Sequence, residues 1–267
     1  MTTERYTHGH HESVLRSHLW RTPENSAAFL LEHLTPGLSV LDVGCGPGTI
    51  TVGLAHRVPG GSVIGVDRSD DVIAKARAQF PATAHRDVSF QVGDVYRLDF
   101  ADESFDVVYA HQVLQHLVDP VAALREMRRV LRLGGLLAVR DADFGAFAWA
   151  PSSPALARWL DLYHRLTRHN GAQADAGRML KGWVLAAGFD DLTVTSSTWT
   201  YESDDERAWW GGLWSDRLLY SDIAEQSVEV GLATTTELRE MADAFLWWSE
   251  QHDGVFIVPH GEVLARR

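Results

Sequence analysis

Short apolar runs alternate with amphipathic stretches through the first half of the chain. Five apolar or β-branched runs predict strands, at residues 40–43, 63–66, 88–92, 105–109 and 136–139. Stretches with helical periodicity lie between them, at residues 49–57, 71–80 and 120–133. Strands that alternate with helices favour a parallel sheet with helices on both faces. Because crossovers between parallel strands are right-handed, the pattern predicts a doubly wound α/β fold.

The two ends of the chain have a different character. Residues 6–34 form a helical pattern, in which Thr22 is a plausible N-cap and Pro23 stands at the first helical position. In the second half, a strand pattern at residues 192–199 and the start of another at 255–258 stand among long helical stretches. These helical stretches cover residues 154–170, 174–187, 204–231 and 235–251.

These patterns together predict a mostly parallel sheet of seven strands, with three segments around it. We expect an N-terminal helical lid at residues 1–36 and a core at residues 37–203 and 254–267. A helical cap is inserted into this core at residues 204–253.

Charge and composition narrow the class of partner. The formal net charge is -12 and no dense run of Lys or Arg occurs, so a nucleic-acid backbone would be repelled. No segment approaches the roughly 18 apolar residues of a membrane span, and the polar N-terminus lacks the features of a signal peptide. We therefore expect a cytoplasmic protein that acts on a small molecule.

The cysteine and histidine content argues against a metal site. Cys45 is the only cysteine, which excludes an intrachain disulfide and disfavours a thiolate zinc site. His8, His10 and His11 stand close together near the N-terminus, but no acidic or cysteine cluster accompanies them. We expect no metal ion.

A glycine-rich loop follows the first predicted strand, in the segment VLDVGCGPGTIT at residues 40–51. Its glycines let the backbone approach a ligand, and we expect main-chain amides after the strand to face that ligand. Dehydrogenases of the Rossmann type use a similar loop. However, Thr49 stands where their fingerprint favours glycine or alanine. Asp42 would repel a pyrophosphate but attract an ammonium group.

The segment resembles motif I of class I S-adenosylmethionine-dependent methyltransferases of the ubiquinone/menaquinone-biosynthesis type. Further segments resemble the motifs of that family in the same order. They are VIGVD ending at Asp67, Gly93-Asp94-Val95, FDVVYAHQVLQHL at residues 105–117 and VLRLGGLLAV at residues 130–139. The resemblance is strong over residues 34–139 and looser elsewhere.

The resemblance implies S-adenosyl-L-methionine as cofactor and S-adenosyl-L-homocysteine as product. It places the Asp67 carboxylate on the ribose hydroxyls and Asp94 at the adenine. The alternatives are that the glycines only make a tight turn and that Asp67 only caps the next helix. The full set of expected cofactor contacts is Asp42, Gly44, Cys45, Gly46, Thr49, Asp67, Arg68, Asp94, Val95 and His111.

Methyl transfer from a sulfonium is an in-line displacement, and a positioned base helps when the nucleophile carries a proton. The candidates for this base are His111, His116 and Tyr6. Two alternatives stay open: His111 is satisfied by backbone at the end of its strand, and His116 only packs before the next helix. Asp143, after the fifth strand, is expected near the substrate, and the alternative is that it caps a turn.

The second half of the chain carries nine of the ten tryptophans. Adjacent tryptophans on one helix face different directions, so at least one in the segment WWGGLW, residues 209–214, should meet the cleft. An aromatic wall favours an aromatic substrate, and the cap could equally form a homodimer interface. The expected substrate contacts are His8, Asp143, Trp210, Trp214, Arg217 and Tyr220.

The N-terminal segment and WWGGLW also resemble a narrower subgroup of actinobacterial and fungal enzymes. This subgroup includes indole C3-methyltransferases that act on tryptophan-containing cyclic dipeptides. The sharpest hypothesis is therefore C-methylation at indole C3 of such a dipeptide. The alternatives are methylation of a quinone, phenol or other small metabolite, an NAD(P)-dependent oxidoreductase on the same topology, and a non-catalytic methyltransferase-like interaction protein.

Overall fold

A computed structural model of the protein describes Thr7, Gly9 and residues 12–267. The N-terminal segment contains three short helices: α1 (Glu12–Leu19), α2 (Pro23–Ser26) and α3 (Ala28–Leu31). Thr22 caps α2 by accepting the Asn25 amide, and Pro23 is at the first helical position, as predicted. Because Pro23 lacks an amide N–H, it cannot continue α1, and the segment is broken where one helical pattern was expected.

The eight strands of the sheet confirm the predicted fold class. They are β1 (Ser39–Val43), β2 (Ser62–Asp67), β3 (Val88–Val92), β4 (Phe105–His111), β5 (Leu131–Ala142), β6 (Ala148–Ala150), β7 (Asp191–Tyr201) and β8 (Val255–Arg266). The order is β3-β2-β1-β4-β5-β8, with β7 on the other side of β8. Strands β1 to β5 pair in parallel, whereas β8 pairs antiparallel with β5, β6 and β7. Among the described residues, the three-residue β6 is the one strand that the sequence did not predict.

Helices connect the strands on both faces, as the doubly wound pattern requires. They are α4 (Thr49–Ala55), α5 (Asp70–Gln79), α6 (Pro120–Val130), α7 (Pro154–His169) and α8 (Ala176–Ala186). A 3₁₀ turn at Leu114–His116 follows β4, and a second at Phe144–Ala146 follows β5. Both turns lie at the carboxyl ends of parallel strands, where ligands of such sheets bind.

Three further helices lie between β7 and β8: α9 (Asp204–Tyr220), α10 (Asp222–Glu229) and α11 (Thr235–Ser249). Ser203 with Glu206 forms a capping box that begins α9, and Thr234 with Glu237 forms one that begins α11. The sequence predicted helix throughout residues 204–231. The structure breaks this stretch at Ser221, whose hydroxyl accepts the Ile223 amide and begins α10.

A cluster of buried aromatic rings joins two of the inserted helices, α9 and α11, to α7 and β8. The ring of Trp214 on α9 lies 4.5 Å from that of Trp159 on α7, and Phe245 on α11 stacks on Trp214 at 5.8 Å. Trp248 donates a 2.9 Å hydrogen bond to the Ala150 carbonyl of β6. None of the helices in the described part of the chain has the length and apolar character needed to cross a membrane.

Candidate active site

A cavity lies at the carboxyl ends of β1, β2 and β4, between the sheet, the N-terminal segment and α9. The loop after β1 and the ends of β2 and β3 form one side, which we call the loop side. Aromatic residues of β7, α9 and the N-terminal segment form the other, which we call the aromatic side. His111, the last residue of β4, lines the same cavity and adjoins the loop because β4 pairs directly with β1.

The glycine loop borders the cavity. Gly44 has φ +71°, and a Cβ there would lie 2.3 Å from the Val113 side chain, so this position requires glycine. The amides of Gly44 and Cys45 donate to the Val66 carbonyl, and the Gly46 amide donates to Asp67 at 3.2 Å. The Gly44 and Cys45 amides therefore do not point at a ligand, because the neighbouring strand β2 already accepts their hydrogen bonds.

Two carboxylates stand at the ends of neighbouring strands on the loop side. Asp42 is buried on β1 and accepts a 2.6 Å hydrogen bond from the Thr51 hydroxyl. Burial raises the pKa of Asp42 to about 7, although the Thr51 hydrogen bond opposes this shift. Asp67 ends β2 and accepts the amides of Gly46 and Ser69. Ser69 caps α5, so Asp67 both supports this helix start and lines the cavity.

The structure brings the predicted cofactor residues together. Asp94 follows β3, and its carboxylate accepts the Tyr96 amide at 2.9 Å while lining the cavity. The hydroxyl of Thr49, at the start of α4, donates to the His18 carbonyl, so the N-terminal segment contacts this side directly. The predicted residues that line the cavity are Asp42, Gly44, Cys45, Gly46, Thr49, Asp67, Arg68, Asp94, Val95 and His111.

His111 and His116 both line the cavity. Burial, with the positive charges of Arg21 and Arg140, lowers the pKa of His111 well below its usual range. Neither ring nitrogen of His111 has a hydrogen-bond partner among the described residues, so the expected alternative of a backbone-satisfied histidine does not apply. Burial lowers the pKa of His116 to about 3, and the amide of Gln115 holds its Nε2 at 3.0 Å.

The aromatic side contains Trp210 and Trp214, as predicted, together with rings that the sequence did not single out. Tyr201 on β7 stacks on Trp210 at 4.3 Å, and Trp199, two residues earlier on the same face of the strand, lies 5.6 Å from His111. Arg217 lines this side, lies 5.0 Å from the Trp214 ring and donates to the Ser17 hydroxyl at 2.6 Å. The further aromatic lining residues are Trp20, Phe144, Phe147 and Trp209.

A chain of polar side chains runs from the N-terminal segment to β8 next to His111. Arg21 donates a 2.5 Å hydrogen bond to the amide oxygen of Gln112, whose amide nitrogen lies 2.9 Å from His260 Nε2. Gln112 has φ +53°, a left-handed conformation that a residue with a side chain rarely adopts. The sequence prediction missed Arg21 and Gln112, because nothing in the local pattern indicates that residues 91 positions apart meet.

Two predicted substrate contacts are wrong. The carboxylate of Asp143 is turned away from the cavity into an ion pair with Arg178, whose backbone amide it also accepts at 3.0 Å. The side chain of Tyr220 is 65% exposed at the end of α9 and does not line the cavity. The predictions for Tyr6 and His8 lie outside the described residues. Within those residues, no group of three or more metal-ligating side chains comes together.

Comparisons with known proteins bear on this site. A family model described as a methyltransferase domain matches residues 34–183. An uncharacterized methyltransferase of Schizosaccharomyces pombe is 34% identical, over 98% of this chain and 96% of its own length. The O-methyltransferase resE of Aspergillus sclerotiorum is 38% identical, over 79% of this chain and 75% of its own length.

A solved structure shares the fold. Haemonchus contortus phosphoethanolamine N-methyltransferase 2, in complex with phosphomonomethylethanolamine and S-adenosylhomocysteine, has a TM-score of 0.57 at 17% identity. The match covers 90% of this chain and 52% of that one.

Proposed function

This chain belongs to the methyltransferase-domain family, and we propose that it transfers the methyl group of S-adenosylmethionine to a small aromatic metabolite. The observation that carries the proposal is a single cavity with carboxylates on its loop side and aromatic rings on the other. His111 stands where the two sides meet, at the end of the strand next to the glycine loop.

The loop side offers the groups that S-adenosylmethionine requires. Asp67 lines the cavity at the end of β2, where a carboxylate can accept both ribose hydroxyls while still accepting the amides of Gly46 and Ser69. Asp94 and Val95 border the position proposed for the adenine. Asp42 attracts the ammonium group, whose positive charge lowers the pKa of this buried carboxyl and favours its ionised form.

The bound cofactor supplies a methyl group already activated on a sulfonium. The protein has to hold the acceptor in line with this methyl group and exclude water. The lowered pKa of His111 keeps its ring neutral, so one of its two unpartnered nitrogens has a free lone pair that can accept a proton, even though the lowered pKa makes it a weaker base. His111 would accept the proton that the acceptor loses on methylation, and the cofactor would be left as a neutral thioether. His116 remains neutral and is held in place by Gln115.

Two acceptor atoms are consistent with this arrangement. Indole C3 of a tryptophan-derived cyclic dipeptide is the candidate that the narrower sequence resemblance favours, and the stacked rings of Tyr201 and Trp210 suit an indole. A phenolic or quinol oxygen is the second candidate, and the relative resE, named as an O-methyltransferase, supports it. Both candidates carry an N–H or O–H whose proton His111 can accept.

Calorimetry followed by product analysis tests the proposal. The purified protein is titrated with S-adenosylhomocysteine and with NAD, and is then incubated with S-adenosylmethionine and a panel of indoles and phenols. We expect S-adenosylhomocysteine to bind, NAD not to bind, and an aromatic compound to gain one methyl group by mass spectrometry. Binding of NAD in place of S-adenosylhomocysteine would refute the proposal.

A further inference from the structure

Four side chains that line the cavity are almost completely buried and leave polar atoms without partners in the described protein. His111 and Gln115 are 4% exposed, Trp210 is 5% exposed and Tyr201 is 1% exposed. The atoms without hydrogen-bond partners are both ring nitrogens of His111, Oε1 of Gln115, Nε1 of Trp210 and Oη of Tyr201. Burying a polar group without a hydrogen-bond partner costs free energy. Four such side chains around one cavity therefore suggest that a ligand supplies their partners.

The four side chains form two pairs in different parts of the cavity. His111 and Gln115 lie at and just after the end of β4, beside the glycine loop. Trp210 and Tyr201 stack on each other on the aromatic side. Trp199 lies between the pairs. Its ring is 5.6 Å from that of His111. Its position on β7 is two residues before Tyr201, which is a separation of roughly 7 Å along the strand. The indole N–H of Trp199 is already donated to the Asn25 carbonyl.

The two pairs differ in the hydrogen bonds that they offer. Trp210 has only an N–H to donate, and burial raises the pKa of Tyr201, so that its hydroxyl keeps its proton and can donate. At the other end, Gln115 offers a carbonyl oxygen, and neutral His111 offers one accepting nitrogen and one N–H, so acceptors outnumber donors there by two to one. One end therefore suits an oxygen acceptor in the ligand, and the other suits an O–H or N–H donor.

We infer that the methyl acceptor is a flat, uncharged aromatic compound with polar groups at both ends. Its donor, an O–H or N–H, faces His111 and Gln115, and its carbonyl-type oxygen faces Tyr201 and Trp210. This inference rests on the proposed function, since it identifies the class of molecule that the aromatic side of that site binds. A compound with only one of the two groups leaves one pair of buried atoms unsatisfied and binds more weakly.

Three related probes test this two-ended recognition. 7-Hydroxycoumarin carries a hydroxyl at one end of a fused two-ring system and a carbonyl oxygen at the other, whereas coumarin lacks the hydroxyl and 2-naphthol lacks the carbonyl. Each is titrated into protein saturated with S-adenosylhomocysteine. We expect 7-hydroxycoumarin to bind about ten-fold tighter than either single-ended compound, as the loss of one buried hydrogen bond implies.

Two variants assign the ends. Tyr201→Phe should weaken the binding of 7-hydroxycoumarin about ten-fold. It should leave the affinity for 2-naphthol unchanged, because the lost hydroxyl donates only to a carbonyl oxygen of the ligand and 2-naphthol has none. Gln115→Leu should weaken the binding of 7-hydroxycoumarin and leave the affinity for coumarin unchanged, because coumarin has no hydroxyl to donate to Gln115. Tyr220→Phe is the matched control, because it makes the same substitution outside the cavity. Since the Tyr201 hydroxyl has no partner to lose and is costly to bury, its variant should unfold at a temperature equal to or above that of the wild type.

Trp210→Phe repeats the carbonyl test at a second residue, because it keeps an aromatic ring and removes the N–H. Two results would overturn the inference while leaving the methyltransferase proposal intact. One is equal affinity of the wild-type protein for the three probes, and the other is an equal loss of affinity for all three probes in Tyr201→Phe. Failure of the wild-type protein to bind S-adenosylhomocysteine at all would instead refute the proposed function, and this inference with it.

Discussion

The hydroxyl of Thr51 donates a 2.6 Å hydrogen bond to the buried carboxyl of Asp42, across the glycine loop that separates β1 from α4. This contact fixes the orientation of a carboxyl group whose pKa burial raises to about 7. Asp42 therefore changes its charge close to neutral pH, at the position where we propose that the ammonium group of the cofactor binds.

The affinity for S-adenosylhomocysteine should consequently depend on pH. Asp42 loses its proton as the pH rises through about 7, and only the ionised form attracts an ammonium group, so the dissociation constant should fall between about pH 6 and pH 8. Titration calorimetry across this range measures the effect. Asp42→Asn should bind more weakly with a flat profile, and an unchanged pH slope in that variant would exclude Asp42 as its source.

The free energy of unfolding of the ligand-free protein should show the opposite trend from the same group. The folded pKa of Asp42 lies above its usual value of 3.8, so between these two values the folded state keeps a proton that the unfolded state has lost. This contribution therefore makes the protein less stable as the pH rises through that window. Urea unfolding of wild type and Asp42→Asn should diverge there, and parallel curves would contradict the raised pKa.

Asp67→Asn should weaken S-adenosylhomocysteine binding by about ten- to a hundred-fold, because hydrogen bonds from the ribose hydroxyls to a carboxylate are stronger than those to an amide. The variant keeps a side-chain oxygen for the amide of Gly46 or Ser69, so the fold should be retained. Asp71→Asn, on the exposed surface of α5, is the matched control. Cofactor affinity equal to that of the wild type in Asp67→Asn would show that this carboxylate does not hold the ribose.

His111→Gln should lower kcat by about 10²- to 10⁴-fold, since it removes the proposed base from the junction of the two sides of the cavity. The affinity for S-adenosylhomocysteine should fall much less than kcat does, because His111 is only one of ten expected cofactor contacts. His252→Gln, at an exposed position beyond α11, is the control. Steady-state kinetics with an aromatic compound that the wild-type protein methylates would give kcat for both variants. A wild-type kcat in His111→Gln would remove this residue from the mechanism.

Trp214→Ala should lower the free energy of unfolding by about 3–5 kcal/mol, because Trp214 is 1% exposed and packs against Trp159 and Phe245. Trp209 is only partly buried beside the cavity, so Trp209→Ala should cost less stability and mainly weaken acceptor binding. Urea unfolding with acceptor titration separates the two effects. Equal losses of stability in both variants would contradict the assignment of Trp214 to the aromatic core.

The loop side of the site was predictable because its signals are local. The glycine loop and Asp67 each lie at the end of an apolar run, and strand ends meet at one edge of a parallel sheet. The fold class was predictable for the same reason. However, the direction of the loop amides was not, since it depends on the hydrogen bonds that Val66 of the neighbouring strand accepts.

The aromatic side shows where local pattern fails. The same spacing argument predicted Arg217 correctly as a cavity residue and Tyr220 wrongly. Tyr220 is six residues after Trp214, which rotates it by roughly 240° around α9 onto the outer face of the helix. Tyr201 was missed because its role depends on stacking with Trp210 across the β7–α9 connection. Asp143 was mispredicted because its partner, Arg178, is 35 residues away in the sequence.

Transfer of a labelled methyl group tests the central claim most directly. The protein is incubated with S-adenosylmethionine that carries a trideuterated methyl group and with the panel of indoles and phenols, and the products are measured by mass spectrometry. We predict that an aromatic compound gains the trideuterated methyl group and that this gain falls sharply in His111→Gln. Binding of S-adenosylhomocysteine with no transfer of label to any compound of the panel would contradict the account.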